Sequence, residues 1–119
     1  MADGKYRIAV ASTDGYTIDK HFGKADKFYI FEVINDEDVN EIEVREAEPV
    51  CLGYGHEKQR MEDALRHLSD CRYIIASRVG DAAAVTAQTI GIETFSIPGD
   101  IGEAIDKLIR HKKVQELFE

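Results

Sequence analysis

The chain has 119 residues, of which 44% are apolar, and its net charge is −8, from 15 Lys and Arg against 23 Asp and Glu. That length fits one domain with one ordinary core. The acidic balance disfavours a broad phosphate-binding surface, because nucleic-acid affinity comes largely from Lys and Arg. No basic start followed by an apolar run marks a secretory signal, and the apolar runs fall far short of the ~20 residues that span a membrane. A cytoplasmic protein, without nucleic-acid or membrane partners, is expected. Its two cysteines, Cys51 and Cys71, would there stay reduced.

Taken in order, Tyr6 to Ala11 is a short apolar run typical of a buried strand. Ser12 to Lys27 follows as a long polar connection with an Asp14-Gly15 turn signal, and it carries His21. Connections of that length are often functional. Phe28 to Ile34, aromatic and β-branched, is a strand. Glu41 to Glu48 alternates, with Ile42 and Val44 on one face, and predicts a half-buried antiparallel strand that Pro49 ends.

Next comes Cys51-Leu52-Gly53-Tyr54-Gly55-His56, a thiol, two glycines and an imidazole within six positions. Met61, Ala64, Leu65 and Leu68 then fall at helical spacing, predicting a helix over about 57–68. Arg72 to Ser77 contains a second buried-strand pattern. Ala82 to Ile90 is a helix with Asp81 as its N-cap and Gly91 as its stop. Ile92 to Ile97 is the last strand, and Asp100 with Glu103 resembles a capping box before the final helix. Val114, Leu117 and Phe118 suggest that the tail docks.

The expected fold is a single α/β domain over residues 1–119, a mixed β-sheet flanked by helices in the order β-β-β-α-β-α-β-α. A meander followed by parallel crossovers sends four connections to one edge of the sheet. They carry His21, the 51–56 stretch, Ser77-Arg78-Val79-Gly80 and Pro98-Gly99-Asp100. Open α/β sheets bind ligands at the carboxyl ends of their parallel strands, and helix N-termini there favour anions.

His21-Phe22-Gly23 before an aromatic strand, Glu48-Pro49-Val50-Cys51, and the Gly53-x-Gly55-His56 step together resemble the dinitrogenase iron–molybdenum cofactor biosynthesis family. The resemblance covers roughly residues 7–110. It implies a ribonuclease-H-like architecture and binding of an iron–sulfur precursor cluster near the histidine and cysteine loops, by a carrier rather than an enzyme. Cluster-assembly proteins are the implied partners.

Each candidate has a bland reading beside the functional one. Cys51 offers a soft thiolate or simply a small packed residue. His56 is a ligand or an exposed residue at a helix start. His21 is a ligand or a solvated loop histidine. Gly53 and Gly55 allow close approach of a ligand or serve a turn at positive φ. Arg78 pairs with an anionic cluster or sits on the surface. Cys71 reads as core, and His67 and His111 as solvated. One thiolate and two imidazoles are few for a permanent iron–sulfur centre, so the expected cofactor is a cluster held in transit, with none tightly bound. The same residues plus water could take zinc.

Two other functions compete. A metal-dependent hydrolase or nuclease would need clustered carboxylates, for which Asp14, Asp70 and a partnerless Glu32 are the candidates. A regulatory or interaction module would bind a protein and no cluster.

Overall fold

The computed structural model describes residues 4–50, 55 and 57–118. Its central strand is β1 (Lys5–Ala11), whose Ile8, Ala9, Val10 and Ala11 are fully buried because the sheet is covered on both faces. β1 pairs antiparallel with β3 (Lys27–Ile34), which pairs antiparallel with β4 (Asp38–Glu46). On its other side β1 runs parallel to β5 (Tyr73–Ala76), and β5 parallel to β6 (Glu93–Ser96). The order across the sheet is β4-β3-β1-β5-β6.

Helices α1 (Glu57–Arg66) and α2 (Asp81–Thr89) lie on one face, where Leu65, Leu68, Ala83 and Ala87 join Ala9, Ala11 and Ile74 in one core. Helix α3 (Ile101–Glu116) covers the other, setting Ile101, Ala104, Ile105 and Leu108 against Ile8, Val10, Tyr73 and Ile75. The period-two alternation of β1 therefore feeds two cores. This is a single α/β domain with a mixed five-strand sheet and three helices.

Local chemistry sets the element ends. Asn35 and Asp36 both adopt positive φ, at 55° and 57°, and Glu37 N–H donates to the Ile34 carbonyl at 3.1 Å. That is the pattern of a tight hairpin turn matched to strand twist. Helix α2 ends as a Schellman motif. Gly91 (φ 86°) donates to Gln88, and Ile92 donates back to Ala87 at 2.9 Å. The Asp100 carboxylate accepts from the Glu103 N–H at 2.9 Å, one half of the expected capping box.

Several expectations fail for identifiable reasons. The 12–27 connection is not irregular throughout. Thr17–Ile18 (β2) pairs with Gly99–Asp100 (β7), and Phe22–Lys24 forms a 3-10 turn, so the eight-element order omits two short strands. The β3–β4 pairing starts earlier than the alternation suggests, at Asp38, and contains a bulge at Ile30/Phe31. β4 is also not half-buried. Only Arg45 is partly covered, because among the described residues the cores on the two faces of the sheet stop short of this edge strand. The N-cap of α2 is Gly80, one residue before Asp81. The tail does not dock: Leu117 and Phe118 remain 79% and 84% exposed.

Candidate functional site

The carboxyl ends of β1, β4, β5 and β6 share one edge of the sheet, since β4 is antiparallel to β3 and β3 to β1. Here the segment Lys20–Phe22 lies along the residues that follow β5. Ser77 N–H donates to the Lys20 carbonyl and Phe22 N–H to the Arg78 carbonyl, each at 2.9 Å. His21 and Arg78 thereby form an isolated parallel bridge. Both are exposed, while Phe22, which makes the second of these bonds, is buried against Phe28, ring centroids 5.9 Å apart. Phe22 anchors the loop and leaves the imidazole and guanidinium in solvent.

Beside this bridge opens a groove of about 780 Å³ between the first turns of α1 and α2. Phe22, Val50, Met61 and Val85 give it an apolar lining, and Gly23 and Gly80–Asp81 border it. Glu57 and Lys58 supply the charges at the α1 end. Cys51, Gly53 and His56 fall outside the described residues. Their described neighbours Val50 and Glu57 line this groove. Gly55 has φ 88°, a conformation glycine adopts without strain, and open space around a hypothetical Cβ among the described residues.

The groove's electrostatics are mixed. Helix α2 starts at Gly80 without a side-chain cap, leaving its first N–H groups for solvent or a ligand. Yet Asp81 and Glu57 stand in the first turns and oppose a second negative charge. The third expected helix start belongs elsewhere. Asp100 caps α3 while β7 pairs with β2, so Pro98-Gly99-Asp100 does not line the groove. Among the described residues, Ser77 Oγ is a buried hydroxyl with no hydrogen-bond partner, next to the His21–Arg78 bridge.

Of the carboxylates weighed for hydrolysis, Glu32 and Asp70 share Arg7, and Asp14 is engaged apart from them. Asp14 accepts the N–H groups of Tyr16 and Thr17 at 2.9 Å, and these bonds hold its carboxyl below the usual range. Glu32 does have a partner, Arg7 at 3.6 Å. Asp70 accepts from Arg45 through both carboxylate oxygens and from Arg7, each at 2.7 Å, which holds it well below an ordinary carboxylate. Among the described residues no group of three His, Cys, Asp or Glu side chains is placed to hold a metal. Cys71 is core: burial pushes its thiol up to about 12. His67 and His111 are exposed.

In the sequence Met61 belongs to the apolar stripe of α1, and nothing there marks it as groove lining. Val85 on α2 is apolar yet 61% exposed, and the two face one groove only in the folded chain.

Residues 4–111 match the family described as dinitrogenase iron-molybdenum cofactor. The FeMo cofactor biosynthesis protein NifB of Chlorobaculum tepidum is 32% identical over 114 residues, 93% of this chain and 26% of that protein. NifB of Azotobacter vinelandii is 29% identical over 96 residues, 76% of this chain and 19% of its own length. The chain thus spans about a quarter or less of these relatives. The crystal structure of PH0822 is similar with a TM-score of 0.67 and 24% identity, covering 88% of this chain and 89% of that one. Protein mj0327 of Methanocaldococcus jannaschii has a TM-score of 0.63 at 15% identity, covering 93% and 92%. These two likenesses establish the fold.

Proposed function

The chain belongs to the dinitrogenase iron-molybdenum cofactor family, and from that premise we propose that it is a non-enzymatic carrier that briefly holds an iron–sulfur, cofactor-precursor-like cluster. The observation that carries this reading is the His21–Arg78 bridge, whose neighbours in the chain Phe22, Gly23 and Gly80 line the groove together with Val50 and Glu57. It sets an exposed imidazole and an exposed guanidinium at paired positions.

The donor chemistry suits a cargo better than a resident centre. His21 supplies one imidazole, and Cys51 and His56 are the remaining soft or borderline donors that the sequence places next to the groove. Arg78 answers the negative charge of a thiolate-bound cluster. The apolar lining lowers the local dielectric and excludes water from a hydrolysable sulfide face. The antiparallel and parallel halves of the sheet, meeting at β1, support the ribonuclease-H-like architecture that the resemblance implies. Cluster-assembly proteins in the cytoplasm are the partners that fit such a carrier.

The test is anaerobic titration of the purified protein with an isolated iron–sulfur precursor cluster, followed by absorption and electron paramagnetic resonance. The proposal expects saturable binding that His21→Ala weakens and that Cys51→Ala combined with His56→Ala abolishes. Unchanged binding in the double variant would remove this site from consideration.

A further inference from the structure

Two apolar surfaces stand open among the described residues, at opposite ends of the molecule. One is the end of α3. Val114, Leu117 and Phe118, at i, i+3 and i+4, share a face of its last turn. Leu108, Ile109 and Lys112 are the buried positions of these turns, whereas the three apolar residues are all exposed. The backbone stays hydrogen-bonded to its end, with Leu117 N–H donating to the Val114 carbonyl at 3.1 Å and Phe118 N–H to Gln115 at 3.0 Å. The other surface is the groove between the first turns of α1 and α2, where Val85 is left largely in solvent.

Their charges are opposite. From Lys107 to Phe118 the chain has four basic residues, Lys107, Arg110, Lys112 and Lys113, and one acid, Glu116, in a protein of net charge −8. Lys112 and Glu116 bond to each other at 2.9 Å, so Lys107, Arg110 and Lys113 are the exposed cations beside the apolar turn. Arg110 meets Asp106 at 3.6 Å, an exposed pair of little worth in water. The groove carries Glu57 and Asp81 against Lys58. An apolar helix face flanked by cations complements an apolar groove flanked by carboxylates, the helix-in-groove mode of recognition.

The tail cannot reach the groove of its own chain. Lys112 bonds to Asp36 in the β3–β4 turn, and His111 lies 3.9 Å from Glu93 at the start of β6. The end of α3 therefore sits at the amino ends of β1 and β6, while the groove opens beyond the carboxyl end of β5. We propose that the last turn of α3 docks in the groove of a second copy. Val114, Leu117 and Phe118 rest on Phe22, Met61 and Val85, and Arg110 and Lys113 answer Glu57 and Asp81. Such a contact is heterologous and propagates head to tail until a ring closes. The docking does not rest on the carrier reading. Its consequence does, since a groove that holds a tail is closed to cargo.

The test is sedimentation of the full chain, without cluster, from about 10 µM to 1 mM, the range of weak contacts of this size. The unaltered protein should show an average mass that rises with concentration and falls with added salt. Two variants change only exposed positions: Leu117→Asp with Phe118→Asp removes the tail's apolar face, and Val85→Lys blocks the groove. Each alone should associate at least about tenfold more weakly. Mixed, they should form a one-to-one pair that grows no further, because one supplies an intact groove and the other an intact tail. The proposal is overturned if the unaltered protein stays monomeric, if the mixture forms no pair, or if association survives Val85→Lys, which would pair tail with tail. Binding of a monomeric chain to anionic phospholipid vesicles through Leu117 and Phe118 would also overturn it, assigning the tail to a membrane surface.

Discussion

His21 and Arg78 are held side by side by a parallel bridge, although each is exposed and neither contributes to a core. The bridge is set by backbone atoms and by the buried Phe22 ring, so the two side chains can be changed without disturbing it. His21→Ala and Arg78→Glu should therefore leave the thermal midpoint unchanged and reduce cluster affinity. The Arg78→Glu loss should shrink as salt screens the charge. Parallel melts and anaerobic titrations separate the two effects. A lowered midpoint in either variant would show that the side chains hold the loop.

Phe22 is the opposite case. Truncating a ring 3% exposed and packed on Phe28 costs about 3 kcal/mol and frees the Lys20–Phe22 segment from Ser77 and Arg78. Phe22→Ala should thus lower stability in denaturant titration and accelerate hydrogen exchange at Ser77 and Phe22 beyond the global change. Uniform acceleration would mean that the bridge survives without its anchor.

At the far end of α3, Lys112 is 7% exposed and donates to Asp36 at 3.2 Å and to Glu116 at 2.9 Å. The Tyr6 hydroxyl gives Asp36 a second bond, at 2.7 Å. Burial alone would raise the Asp36 carboxyl, but the donors Tyr6 and Lys112 outweigh it and hold the carboxyl below its ordinary value. Lys112→Ala leaves that carboxylate half-covered with one donor gone and should cost about 2 kcal/mol. Tyr6→Phe should cost about 1 kcal/mol. A double-mutant cycle checks whether the two act on Asp36 as one unit. Strictly additive losses would separate them.

Asp70 provides the pH dependence. Hydrogen bonds from Arg45 depress its folded-state pKa despite the opposing effect of burial, with a further lowering from Arg7. A depressed carboxylate contributes stability that is present above its unfolded value of about 4 and lost as pH falls towards the folded value. The side chain is 40% exposed, so screening limits the contribution to about 1 kcal/mol or less. Asp70→Asn should be the less stable protein at neutral pH, and the gap should close on acidification below about pH 4. Urea midpoints across that range measure it, and a gap that widened in acid would reverse the assignment.

The Cys71 thiol, 3% exposed and pushed up to about 12 by burial, should resist alkylation in the native protein at pH 8. Peptide mapping after iodoacetamide treatment should find it modified only once the chain is unfolded. Native modification would place it outside the core.

Local patterns decided much of the architecture. The Ile-Ala-Val-Ala run of β1, the aromatic β3, the helical stripe through Met61 and Leu65, and the Gly91 stop are all nearest-neighbour chemistry, legible along the chain. The gathering of His21 and Arg78 at one edge was legible too, because strand direction follows from connection type. Three things required the tertiary structure. Thr17–Ile18 is a strand only because Gly99–Asp100 lies across from it. The apolar walls of the groove come from elements far apart in sequence, so neither helix stripe reveals the space between them. The alternation of β4 specifies a strand equally well whether its neighbours cover it or leave it bare, since period two reports direction and not coverage. Coverage depends on how far α3 reaches across the sheet, and α3 stops short of Val39 and Val44.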